Sequence, residues 1–224
     1  MKAVAASLGS ATSTGVSRRQ AAVSAFAGLA LIPFVQPAQA GGQLEEPLVD
    51  SVRTALSAAV HDMKPPELDF TDTESRLKHL RWKIAMSERL KRKIPQWQER
   101  QDFLETVAYK AKRSGLDVAL VLGLIQVESN FRKHAVSSVG ARGYMQVMPF
   151  WLRLLAVPGE KEDVGKLFDG QVNLRFGCVI LRHYLDREKG DLFMALGRYN
   201  GSRGKAPYPN AVLGAKKAWE HMPA

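Results

Sequence analysis

Glu128 is the residue whose surroundings are hardest to explain without chemistry. It closes an almost wholly apolar run, Val118 to Val127, and two glycines and a Met-Gln-Val-Met segment follow closely. Desolvation disfavours a charged carboxylate, and the negative end of a helix dipole disfavours it again. Both effects hold the carboxyl toward its protonated form near neutral pH. Protonation of a glycosidic oxygen requires an acid of this kind. A glutamate at a frayed helix end, turned into water, would carry the same local sequence. Arg132, the nearest cation along the chain, lies beyond Asn130, where a break in the helix can aim it elsewhere.

Other chemistry is poorly supplied. The single cysteine, Cys178, excludes an intramolecular disulfide and sits in an apolar FGCVIL segment as a small core residue. Five scattered histidines (His61, His79, His134, His183 and His221) and the lack of CxxC or HExxH spacing give no expectation of a metal site or cofactor.

The elements that must position Glu128 are helical. Thr71-Asp72-Thr73-Glu74 opens a helix with capping residues and an acidic first turn, and its body ends in cations. Leu44, Leu48, Val52, Leu56 and Val60 recur every four residues as one helical stripe before Lys64-Pro65-Pro66. A further helix runs from Pro95 to Arg113, and Ser114-Gly115 ends it. Asp117 caps the apolar helix that ends near Glu128. Beyond it come a buried helix from Val172 to about Asp186, a short one in DLFMALGRYN, and a last one in AVLGAKKAWEHM. The predicted class is all-α, with little or no sheet. The basic helix over residues 74–93 reads as the solvated face of an amphipathic helix.

Arg18-Arg19, the apolar stretch AAVSAFAGLALIPFV and Ala38-Gln39-Ala40 form a basic flank, a hydrophobic region and a small-residue cleavage pattern. Residues 1–40 are therefore expected to be a signal peptide of twin-arginine or general type, leading to an exported, periplasmic protein. The apolar run is shorter than the roughly 20 residues a membrane span needs, so no integral span is expected after cleavage. Removing Lys2, Arg18 and Arg19 from the formal charge of +10 leaves +7. A basic exported protein suits an acidic surface such as lipid headgroups or cell-wall polymers. Nucleic acid is not expected, because no aromatic-rich basic motif accompanies the charge.

Four blocks then occur in order: Glu128-Ser129; Gly140 to Pro149, reading GARGYMQVMP; Asn173 to Gly177; and Tyr199-Asn200-Gly201. Together they resemble the soluble lytic transglycosylase catalytic domain, a lysozyme-like, goose-type fold acting on peptidoglycan. The resemblance covers roughly residues 103–204. It implies a catalytic domain over 96–224, preceded by a helical extension over 41–95. It also implies that Glu128 is the single acid/base catalyst and that Ser137 contacts substrate near the reacting sugar. Gln146 and Met148 would line the sugar groove, Tyr199 would face the glutamate, and Asn200 would shape the turn presenting it. The implied partner is the peptidoglycan glycan strand, bound by a monomer with or without an envelope or secretion-apparatus partner. Gly197-Arg198, Ser202-Arg203 and Ile180 depart from the family pattern, and Arg198 and Arg203 are candidates to meet acidic stem peptides. A hydrolytic muramidase and a non-catalytic wall-binding module are the alternatives.

Overall fold

The computed structural model describes Gln43, residues 52–54 and 56, and residues 68–154 and 163–220. The expected signal peptide, most of the stripe over residues 44–60 and the Lys64–Pro66 stop lie outside the described residues. Among the described residues, the α-helices with both ends described are α1 (Thr73–Leu90), α2 (Trp97–Arg113), α3 (Val118–Ser129), α4 (Phe150–Arg153), α5 (Gly170–Arg187), α6 (Leu192–Asn200) and α7 (Pro207–Glu220). A 3-10 turn, Val164–Phe168, precedes α5. The fold is all-α. Among the described residues the only extended pairing is two isolated bridges, Val136 with Arg142 and Arg142 with Val147.

Aspartate side chains start four of these helices. Asp72, Asp117, Asp169 and Asp191 accept from the backbone N–H groups of Ser75, Ala119, Val172 and Met194. Each satisfies a donor that the first turn would otherwise leave unpaired. Three starts differ from the sequence expectation, α5 beginning at Gly170, two residues before Val172. α2 begins at Trp97 rather than at Pro95, and α7 begins at Pro207, four residues before Ala211. A proline is tolerated in a first helical turn because its missing N–H has no helical partner to lose. The segment Pro207-Tyr208-Pro209 is therefore helix and not loop.

α3 is the central element. Ala119 to Ile125 are all buried, as an all-round apolar helix requires. α7 crosses it closely at Gly123, where a Cβ would stand 2.6 Å from the Lys216 backbone nitrogen. Any side chain there would force the two helices apart. Trp219 at the end of α7 donates to Gln126 of α3 at 2.8 Å.

The last turns of α1 belong to the same core, since Met86 and Leu90 are fully buried within it. Arg89 donates to the Ala218 carbonyl at 2.7 Å, and its guanidinium lies 4.2 Å from the Trp219 ring centroid. Arg100 of α2 is buried and staples the α1–α2 turn. Its Nε donates to Ser87 Oγ at 2.8 Å, and one terminal nitrogen donates to the carbonyls of Ile94 and Pro95. A buried cation is tolerated because its donors find fixed acceptors.

Candidate active site

Glu128 occupies the last turn of α3, and the chain reverses immediately after it. Asn130 caps the helix with φ 51°, and Phe131 follows at φ 64°. Two successive left-handed residues without glycine cost about 1–2 kcal/mol each. Burial of Phe131 offsets that strain, its ring meeting Phe103 and Trp219 edge-on at centroid distances of 6.0 and 5.3 Å. Arg132 turns back to donate to the Ser129 carbonyl at 3.0 Å and is exposed, leaving Glu128 without a cationic partner there.

The Glu128 side chain is only 8% exposed. Its Oε1 accepts a hydrogen bond from the Tyr208 hydroxyl, whereas Oε2 is buried with no hydrogen-bond partner. Burial pushes the carboxyl up from 4.5 to about 8, against the smaller lowering effect of Tyr208. It is an acid poised for neutral pH. Tyr199 and Tyr208 are buried beside it, and both phenols are held well above their ordinary range, by desolvation first and by the Glu128 charge next. They stay protonated, as donors.

The loop that Ser129 and Tyr199 hold is built around Asn173. This fully buried side chain of α5 accepts from Met145 N at 2.8 Å and donates to the Arg142 and Leu167 carbonyls, both at 2.8 Å. Gly143 (φ 76°) lies against it, and a Cβ there would come within 2.3 Å of the Asn173 amide nitrogen. One turn along α5, a Cβ on Gly177 would fall 2.3 Å from Met145 Sδ. The close neighbour at Gly177 is therefore a side chain of the loop. Ser129 Oγ donates to the Tyr144 carbonyl at 2.7 Å, and Tyr199 donates to the Met145 carbonyl at 2.8 Å. The two blocks flanking the glutamate thus hold the loop from both sides.

The remaining site residues fall as follows. Gln146 is buried at φ 49° and donates to the Gly143 and Ala135 carbonyls, a strained position of the kind found where a loop is over-determined. Met148 is partly exposed and Met145 fully buried, so one of the pair is core. Ser137 is partly exposed, and its Oγ accepts from Ala141 N at 3.0 Å within its own turn. Asn200 donates to Ser202 Oγ at 3.0 Å, while its Oδ1 is buried without a partner. Arg198 and Arg203 do not stand open at a groove mouth. Both bind Glu188, Arg203 at 2.8 and 3.0 Å.

Three contributors were not assigned from sequence. Tyr208 was placed before the last helix, and the signal for it was the proline on either side. Asn173 was read as part of a block without a role. Gln43 accepts from Trp151 Nε1 at 2.8 Å and from Met148 N at 3.4 Å, so this early residue reaches the loop. A concavity of about 1030 Å³ between α1 and α2 contains none of the site residues.

The domain is all-α, and its central helix ends in a buried glutamate whose carboxyl is raised. The sequence model of the Transglycosylase SLT domain matches residues 105–221, and the chain belongs to that family. A transglycosylase of Enterobacteria phage PRD1 is 35% identical over 116 residues, covering 49% of this chain and 41% of that protein. The membrane-bound lytic murein transglycosylase C of Actinobacillus pleuropneumoniae serotype 5b (strain L20) is 33% identical over 98 residues, covering 44% and 24%. The chain thus spans less than half the length of these curated relatives. Among solved structures, an inactive mutant of the lytic transglycosylase Slt from Pseudomonas aeruginosa aligns at 24% identity. Its TM-score is 0.45, over 51% of this chain and 23% of that one.

Proposed function

We propose that the protein is a peptidoglycan lytic transglycosylase in which Glu128 serves as both acid and base. The observation that carries the reading is a buried carboxyl raised to about 8, with Oε1 on Tyr208 and Oε2 unpartnered. The protonated carboxyl donates to the oxygen linking N-acetylmuramic acid to N-acetylglucosamine as the bond from muramic C1 to that oxygen breaks. The resulting carboxylate then takes the proton from the muramic C6 hydroxyl while O6 attacks C1. A 1,6-anhydro ring forms, the glutamic acid is restored and no water is consumed. Both reacting groups belong to one sugar, so the closure gains from proximity.

A single carboxylate suffices for this sequence, whereas ordinary glycoside hydrolysis employs two. Burial and Tyr208 are the causes that act on Glu128, with no charge of a second acid among them. Asp163 and Asp169 cap their own helical turns, and Asp186 pairs with Arg182 at the surface. Membership of the SLT family and the lytic murein transglycosylase names of the relatives support the same substrate.

In this reading Ser137, Gln146, Met148, Tyr199 and Asn200 contact or shape the glycan site. Residues 96–224 form the catalytic unit, 41–95 a helical extension and 1–40 an export signal to the periplasm. The protein acts as a monomer on glycan strands. Digestion of purified sacculi followed by mass measurement tests the proposal. Fragments ending in anhydro sugars, lighter by one water than hydrolysed ends, are expected. Hydrolysed ends would make the protein a muramidase, and no fragments at all would leave it a wall-binding module. Glu128→Gln, which keeps size and removes the acid, should abolish the products.

A further inference from the structure

The outward face of α1 is apolar where a solvated helix would be polar. Leu77, Leu80 and Ile84 recur at i, i+3 and i+7 and are 47%, 39% and 67% exposed. On a helix this spacing makes one stripe, turned well away from the face that buries Met86 and Leu90. Trp97, at the start of α2, is 64% exposed and lines the same groove as Leu80 and Ile84. Scattered apolar side chains at a surface need no explanation, but a contiguous row with an aromatic beside it does.

The helix that carries the row is basic, while the groove beside it is lined by Asp69, Asp72, Asp102 and Glu105 as well as by Arg76 and Lys83. Residues 73–93 carry eight Lys or Arg and two Glu. Arg76, Lys78 and Arg81 are exposed within the turns that carry the row, and Lys91, Arg92 and Lys93 are exposed in the turn that leads toward Trp97. The nearby acids are largely engaged. Glu105 is held by His79 and Lys83, Glu88 by Lys91 at 3.6 Å, and Asp72 is spent on the helix cap.

We infer that this face docks on an anionic lipid surface. Three apolar side chains stand out from the helix along the rim of this groove and span roughly 10 Å along its axis, with the long cationic stems of Arg76 and Arg81 beside them. That arrangement fits a flat boundary with hydrocarbon beneath phosphate. The apolar row enters the boundary, Trp97 sits at headgroup depth, and the Lys and Arg stems reach back to the phosphates. None of the described helices is long and apolar enough to cross a membrane, and the contact inferred for this face is a surface one. It is independent of the reaction proposed for Glu128.

Flotation of the full chain with vesicles tests the inference. Binding is expected to an equal mixture of phosphatidylcholine and phosphatidylglycerol, and not to phosphatidylcholine alone, and it should weaken with salt. Replacing Lys91, Arg92 and Lys93 together by Gln should lower partitioning about a hundredfold. Leu80→Ser with Ile84→Ser should lower it about tenfold or more. Each variant should keep the wild-type thermal unfolding curve, because none of these side chains belongs to the core. A blue shift of tryptophan emission on vesicles, absent in Trp97→Phe, would show burial at the boundary.

Equal binding to both vesicle types would overturn the inference. So would indifference to the Leu80 and Ile84 changes, which would reduce the effect to charge adsorption. Lipid-free self-association abolished by those same changes would also overturn it, making the row a contact between copies of this chain.

Discussion

Two glutamates of this protein are driven to opposite extremes. Glu128 is raised to about 8 and Glu188 is lowered to about 2. Glu188 follows α5 and receives Arg203 through both carboxylate oxygens and Arg198 through one, and the hydrogen bond from Arg203 is the largest cause of its shift. Glu128 receives one neutral hydroxyl and otherwise faces apolar surroundings. What separates them is which donors the fold delivers. The first is an acid ready to give up a proton, and the second a permanent anion that ties the end of α6 to the turn after it.

Removing the acid should have the largest effect. Glu128→Gln is expected to lower turnover of purified peptidoglycan about a thousandfold or more. The same variant separates the two glutamates by pH. The folded Glu128 carboxyl binds its proton more tightly than the unfolded one, so its contribution to stability is full below pH 4.5 and is lost as pH rises through about 8. Wild type should therefore lose stability to urea relative to Glu128→Gln across that window, and parallel curves would mean the carboxyl is not buried as described.

Asn173→Ala comes next. It would leave Met145 N–H and two carbonyls without their partner, at a cost of about 3 kcal/mol or more, read as a lower urea midpoint with activity falling alongside. Tyr208→Phe is milder, with an expected loss of about tenfold in turnover. Its sharper readout is the pH profile. The Tyr208 hydroxyl lowers the Glu128 carboxyl, so removing it should move the alkaline limb to higher pH.

Glu188→Gln should have the smallest effect, with turnover nearly unchanged. Its lowered carboxyl contributes stability above the unfolded value of 4.5 that is lost as pH falls through about 2. The variant should accordingly melt below wild type at neutral pH and converge with it near pH 2.

Much of this was legible in the chain. Asp72 and Asp117 announce two helix starts, and the all-round apolar pattern of residues 118–127 marks the central helix. The position of Glu128 at the end of that helix fitted a raised acid and a frayed end in water alike, and only the four blocks taken together favoured the acid. Tyr208 escaped because prolines on both sides of it resemble a loop, although a first helical turn accepts them. Arg198 and Arg203 read as open cations because Glu188 lies ten and fifteen residues away, and charge pairing across a turn leaves no local pattern.

The sequence by itself determined most of the helices and their aspartate caps, because backbone periodicity and side-chain capping act over a few neighbouring residues. Tertiary structure alone decided who meets the Glu128 carboxyl. The Tyr208 hydroxyl arrives from 80 residues away, and Asn173 braces a loop 28 residues distant. Hydrogen bonds of such span depend on where whole helices pack, and close packing such as that of α3 on α7 at Gly123 is a property of pairs of surfaces that neither strand of sequence carries alone.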